Sequence, residues 1–305
     1  MFLIVANQMV VMFIMIMVGC LIRKINLIDH DGSRTISNLL LLVVNPCVLL
    51  NSFTTVEYDA ALVHGLLYTF VLAIVTHAMA ILAARILLPG KEPDTAVERF
   101  SCVYSNCGFM GIPVVSSILG AEGVFYISAY LVVFNFLVWT HGMSLLSGDT
   151  SLRKLLKGLR SPVMFTMTIG IVCYFLQIHL PGNVQSAITY ISRMNTPLGM
   201  FVAGAALAEA HPLQALKKER VYRVCAVKLF VVPMLANAVM MLLHPAQGVY
   251  YTIVVAAASP AATTCTMMAI RCGKNYRYAS ELYVITTLLS MLTIPAVVAI
   301  AQALY

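Results

Sequence analysis

Ten apolar stretches joined by short connections govern what this chain can fold into: 3–22, 36–53, 62–84, 100–119 and 124–146, then 163–180, 187–208, 224–243, 250–270 and 282–303. Each is nearly free of charge and close to the roughly 20 residues that a helix needs to cross a hydrocarbon core about 30 Å thick. With 61% hydrophobic and 10% charged residues and a mean hydropathy of +0.90, a soluble globule with a solvated surface is excluded. The expected fold class is an all-α membrane protein with ten transmembrane helices. The first stretch has no basic leader and ends in Arg23-Lys24 instead of a small-residue cleavage site, so it is expected to be retained.

The net charge of +7 does not point to nucleic acid, because the basic residues are distributed for another purpose. All of the nineteen lysines and arginines except Arg193 and Lys228 fall in or beside alternate connections, while 54–61, 120–123, 181–186 and 244–249 contain none. By the positive-inside rule the basic links are cytoplasmic and both termini face outward. Lys228 is expected to snorkel to the inner face. The eight cysteines, Cys20, Cys47, Cys102, Cys107, Cys173, Cys225, Cys265 and Cys272, show no metal-ligand spacing and read as small apolar residues with no disulfide framework.

Five spans per half is an odd number, so two copies of one unit enter the bilayer from opposite sides. The halves are 1–146 and 163–305. The link between them, 147–162, sets Leu152, Leu155, Leu156 and Leu159 among Arg153, Lys154, Lys157 and Arg160. It reads either as a short amphipathic helix on the inner membrane surface or as a charged loop that enforces topology.

Matched interruptions recur in the two halves. Asn45-Pro46-Cys47 has its counterpart in Asn195-Thr196-Pro197, and Gly111-Ile112-Pro113 in Ser259-Pro260, at offsets of 150, 151 and 147 residues. Paired breaks in membrane helices mark a transporter's binding site, because freed backbone groups must line a cavity. Pro113 is expected to open the backbone at Phe109, and the half-helix after it to present unpaired N–H groups and a positive dipole end to a carboxylate. Pro260, followed by Ala261, Ala262, Thr263 and Thr264, is expected to repeat this from the other side. Asn45 and Asn195 either line the site or hydrogen-bond between helices. Arg193, in the outer half of the seventh span, either pairs with an anion or snorkels outward. Pro233 and Pro295 read as simple kinks. No aspartate or glutamate occupies the middle of a span, leaving His77 and Glu281 as candidates to carry a coupling proton; the alternatives are a packing histidine and a helix cap.

Asn45-Pro46-Cys47, the run Ser105 to Pro113 (SNCGFMGIP), Asn195-Thr196-Pro197-Leu198-Gly199-Met200 and Ser259-Pro260-Ala261 together resemble the auxin efflux carrier family in its short bacterial form, often labelled malate or malonate permease. The resemblance spans essentially the whole chain. It implies two inverted five-helix repeats, with helices 4 and 9 broken and crossing at the substrate site. It also implies a scaffold of helices 1, 2, 6 and 7, and a moving bundle of helices 3, 4, 5, 8, 9 and 10. Asn106 becomes a carboxylate contact, and Pro113 and Pro260 become crossover prolines. The long cytosolic loop of the plant carriers is absent, as is the second proline they carry after the helix 9 break, where Thr264 and Cys265 stand. A small mono- or dicarboxylate is therefore expected over auxin.

The resulting expectation is a secondary transporter of small organic carboxylates in a bacterial plasma membrane, without a cofactor, with proton coupling, sodium coupling and uniport driven by the membrane potential left open. Its partners are the substrate anion, the lipid bilayer and a second copy of the chain as a homodimer. The rivals are a sodium-coupled carrier of bile-acid-like anions, a non-transporting sensor or channel, and a membrane-embedded enzyme. Against the enzyme, the chain has neither a His-Glu-x-x-His motif nor a pair of intramembrane aspartates.

Overall fold

A computed structural model of the chain describes residues 1–90, 92–148, 162–210 and 217–305. The basic link of residues 149–161, with its leucines, lies outside the described residues. Within them the structure is helical, and its only extended pairing is one isolated antiparallel bridge. In chain order the helices are α1 (Phe2–Lys24), α2 (His30–Thr55), α3 (Ala60–Leu87), α4 (Thr95–Val103), α5 (Cys107–Ser147) and α6 (Pro162–Phe175). They continue as α7 (Gly182–Arg193), α8 (Asn195–Glu209), α9 (Glu219–Leu243), α10 (Gln247–Ala258), α11 (Thr264–Arg271) and α12 (Tyr276–Leu304).

Six of these, α1, α2, α3, α5, α9 and α12, are long and apolar enough to cross a membrane, and α6 and α10 are shorter apolar helices. The sequence boundaries erred on the short side, because the helices run on into their polar ends. Asp29 and Asp59 cap α2 and α3 by accepting hydrogen bonds from the backbone N–H groups of Gly32 and Ala61. At α12 the cap is Asn275, which accepts from the Tyr278 N–H at 3.1 Å. Glu281, a coupling candidate with a helix cap as its alternative, lies more than a turn inside that helix, which excludes the cap. The sixth stretch is shorter than expected, with its helix ending at Phe175. At Gly120 the chain turns through φ 62° and ψ −140°, a conformation open to glycine, so α5 has two limbs, 107–119 and 121–147.

Four of the prolines within the apolar stretches do not sit at gaps. Pro46, Pro113 and Pro233 each follow a π turn, Leu40–Val44, Cys107–Gly111 and Val227–Val231 respectively. In each turn the residue before the proline donates its N–H five residues back, to Leu40, Cys107 and Val227. The wider turn adds a residue to the ring of backbone atoms, so the helix passes the proline without opening. Pro197 lies inside α8, after a one-residue turn at Met194 whose N–H reaches Ile191 O at 3.1 Å. The backbone opening expected at Phe109 and Pro113 is thus elsewhere: it falls at residues 104–106, between α4 and α5.

Packing follows the small residues. α1 lies along α8, α2 against α6 and α7, and α3, α9, α10 and α12 surround α4, α5 and α11.

Candidate functional site

Two interruptions remain open, 104–106 between α4 and α5 and 259–263 between α10 and α11, and they meet each other. Ser105 and Ala261 form the isolated antiparallel bridge. The Asn106 N–H donates to Pro260 O at 2.7 Å, and the Ala262 N–H donates to Tyr104 O at 2.9 Å. Another donor, the Ala261 N–H, reaches Thr286 Oγ1 on α12 at 3.1 Å. Each break therefore satisfies part of the other's buried backbone. The Asn106, Ala261 and Ala262 N–H groups are therefore engaged within the protein. Pro260 fits the bridge because its carbonyl accepts while its ring nitrogen has no hydrogen to place.

Side-chain groups are left without partners beside the bridge. Asn45 Oδ1, Asn106 Nδ2, Asn195 Oδ1 and Thr264 Oγ1 are buried and make no hydrogen bond. Unsatisfied buried polar atoms are costly, roughly 1–3 kcal/mol each, and a cluster of them marks a place for a ligand or water. Asn45, Asn106 and Thr264 line a central cavity of about 50 Å³ together with Ser105, Gly108, Phe109, Ile112 and Thr263. That is room for roughly three water-sized positions. Asn195 reaches the same region by donating from Nδ2 to Gly108 O at 3.1 Å.

Larger cavities approach this chamber from both ends of the helices. One, of about 480 Å³, lies toward the connections that lack basic residues and is lined by Gln8, Asn51, Ile112, Pro113, Arg193, Asn195 and Thr196 among others. The other, of about 530 Å³, lies toward the basic connections and is lined by His30, Arg34, Phe109, Thr263, Arg277 and Glu281 among others. Ile112 borders the chamber and the first cavity; Phe109 and Thr263 border the chamber and the second.

The expected site residues thus separate into groups. Asn45, Asn106, Thr263 and Thr264 meet at the chamber, with Asn195 and Pro260 beside it. Pro113, Arg193 and Thr196 belong to the 480 Å³ cavity, where Arg193 is exposed. Gly111 and Ser259 line none of these cavities. A β-carbon on Gly111 would come within 3.2 Å of Ser259 Oγ, which itself donates to Val255 O, so both serve the close approach of α5 and α10. Pro46 and Pro197 are absorbed in helices. Glu281 pairs with Lys218 at 3.0 Å in the basic-end cavity, away from the chamber. His77 is 1% exposed, with Nδ1 at 2.7 Å from Ala73 O, its ring 4.8 Å from that of Tyr130, and Nε2 unpartnered.

Lys228 departs furthest from expectation. It does not snorkel: it is 0% exposed, and Nζ donates to Ser105 Oγ at 2.5 Å, inside the crossover. One signal for it was available in the chain. Lys228 lies 151 positions after His77, the same spacing as Pro46 and Pro197.

A family model described as membrane transport protein matches residues 4–154 and 149–298. The chain is also 20% identical over 291 residues to an uncharacterized transporter of Methanothermobacter thermautotrophicus, covering 92% of this chain and 93% of that protein.

Proposed function

Because the chain belongs to the membrane transport protein family, that of the auxin efflux carriers, and is a multi-pass transporter and not an enzyme, we propose that it carries small organic carboxylates by alternating access. The observation that carries this reading is the cluster of unpartnered amides and hydroxyl at the crossover, between two cavities that approach from opposite ends. Asn106 Nδ2 is a free donor at the base of the chamber, and α5 and α11 both begin there, so their positive dipole ends favour an anion.

In this reading the ten spans form two inverted five-helix repeats. α4 with residues 107–119 makes helix 4, α7 with α8 makes helix 7, and α10 with α11 makes helix 9. The scaffold is α1, α2, α6, α7 and α8; the moving bundle is α3, α4, α5 and α9 to α12. Ion pairs support the division. Glu209 on α8 joins Arg23 and His30 of α1 and α2. Arg220 on α9 grips Glu98 on α4 with two nitrogens, at 2.8 and 2.7 Å, and Lys218 holds Glu281 on α12. Among the described residues no ion pair crosses from one group to the other. Rocking of the bundle would move Phe109 and Ile112, two of the side chains between the chamber and the larger cavities. We place the chain in a bacterial plasma membrane with its basic connections on the cytoplasmic side and both termini outside.

The test is uptake of malate, malonate and lactate into proteoliposomes under imposed proton or sodium gradients. Saturable uptake of at least one is expected. Asn106→Ala is expected to weaken it by about 30-fold, the scale of one lost hydrogen bond to a charged group, with protein yield unchanged. Uptake kinetics identical to wild type in that variant would remove Asn106 from the site, and no saturable uptake of any carboxylate would defeat the reading.

A further inference from the structure

We infer that Lys228 is the fixed countercharge of the crossover: the buried ammonium that selects a single carboxylate over an uncharged isostere. The inference rests on the carboxylate reading above and adds to it the group that sets the substrate's charge.

Lys228 sits on the π turn Val227–Val231 of α9, fully buried. Its Nζ donates to the hydroxyl of Ser105, which lines the central chamber next to Asn106 and forms the bridge to Ala261. An ammonium has three hydrogens, and Ser105 accepts one. Among the described residues no carboxylate lies within ion-pair distance of it. Its electrostatic neighbours are the thiols Cys102 and Cys107 and the imidazole of His77, none of them an anion to balance it. A buried cation without a partner is costly in any protein and more so in a membrane interior, where ionisable side chains pair with one another or serve function.

A bland reading exists, in which Lys228 only staples α9 to the crossover through Ser105. A neutral amide or hydroxyl would do that at lower cost. What the lysine adds is charge, held behind the hydroxyl at the edge of a chamber already lined by unpartnered polar atoms. A carboxylate entering there would take a donor from Asn106 and lie beside the Ser105 oxygen, one atom away from the ammonium, an attraction strengthened by the low surrounding dielectric. One buried cation compensates one negative charge. A monocarboxylate needs nothing more, while the second carboxylate of malonate must remain in one of the two larger cavities, in contact with water.

The experiment compares L-lactate with lactamide, its uncharged isostere, for binding and uptake by purified full-length protein. Wild type is expected to prefer lactate by on the order of 100-fold. Lys228→Met should lose that preference through lactate affinity alone, with lactamide unchanged, and Lys228→Arg should retain most of it. Ser105→Ala, which removes the staple but keeps the charge, should preserve the preference. A Lys228→Met protein that still prefers lactate, or a Ser105→Ala protein that loses the preference equally, would reduce Lys228 to a packing role while leaving the carboxylate reading intact. Should Lys228→Met fail to fold, the wild-type ratio still decides, since a preference below about tenfold overturns the inference. Absence of saturable lactate and malonate uptake by wild type would mean instead that the underlying reading had failed.

Discussion

The seam between α1 and α8 and the crossover of residues 104–106 with 260–262 are both places where two backbones touch, and they achieve it by opposite means. At the seam, Gly19 and Gly204 remove side chains so that intact helices approach: a β-carbon on Gly19 would lie 2.6 Å from Phe201 Cα, and one on Gly204 would overlap the Ile16 carbonyl oxygen. Small residues at such an interface give tight packing with every backbone hydrogen bond kept inside its own helix. At the crossover the helices are cut, the backbones bond to each other, and the polar side chains beside them are left over. Close packing of whole helices builds a rigid support. Mutual repair of broken ones creates a buried polar chamber. The same chain therefore carries a rigid contact and a chemically available one, each placed where the other function would fail.

Substitutions can break this contrast at graded cost. The largest effect is expected at the seam, where Gly204→Val forces a branched side chain into the α1 backbone; recovery of little or no monodisperse protein by size-exclusion chromatography is the expected result. Next comes the clamp that holds the end of α4 against α9. Arg220→Ala strands the Glu98 carboxylate, which is 0% exposed and otherwise keeps only the Tyr278 hydroxyl, at 3.0 Å, among its hydrogen-bond partners. A loss of about 3 kcal/mol is expected from leaving one member of a buried pair alone, visible as a clear drop in thermal unfolding temperature. The smallest effect is expected at Pro113→Ala, because the π turn already carries α5 past that position without a gap. Stability within about 1 kcal/mol of wild type is expected, and a larger loss in the same thermal measurement would show that the proline itself holds the crossover open.

Much of the architecture was legible from local pattern. Long apolar runs become helices because nothing else satisfies the backbone in lipid, and the basic residues mark one end of the bundle. Ser259-Pro260 was found at its true place, since a proline between a helix end and four small or hydroxyl residues has no intact helix to join. Pro113 misled because a proline's cost depends on the turn before it. Cys107–Gly111 takes a π conformation, and the opening shifts toward the polar residues Ser105 and Asn106. The cap alternative for Glu281 and the snorkel for Lys228 misled in complementary ways. The apparent cap is held by Lys218 in a cavity, and the apparent snorkel points inward to Ser105. Neither partner lies near in the chain, so neither contact can itself be read from the spacing of residues, although the 151-residue offset from His77 singles out Lys228.

By itself the sequence determined that this is a helical membrane protein with paired interruptions in its two halves, because hydropathy and proline chemistry act over one or two helical turns. Only the tertiary structure decided which interruptions stay open, that two of them bond to each other, and that Lys228 lies among them. Those outcomes depend on which backbone groups find partners across more than a hundred residues of chain, and hydrogen bonds at that range are settled by packing.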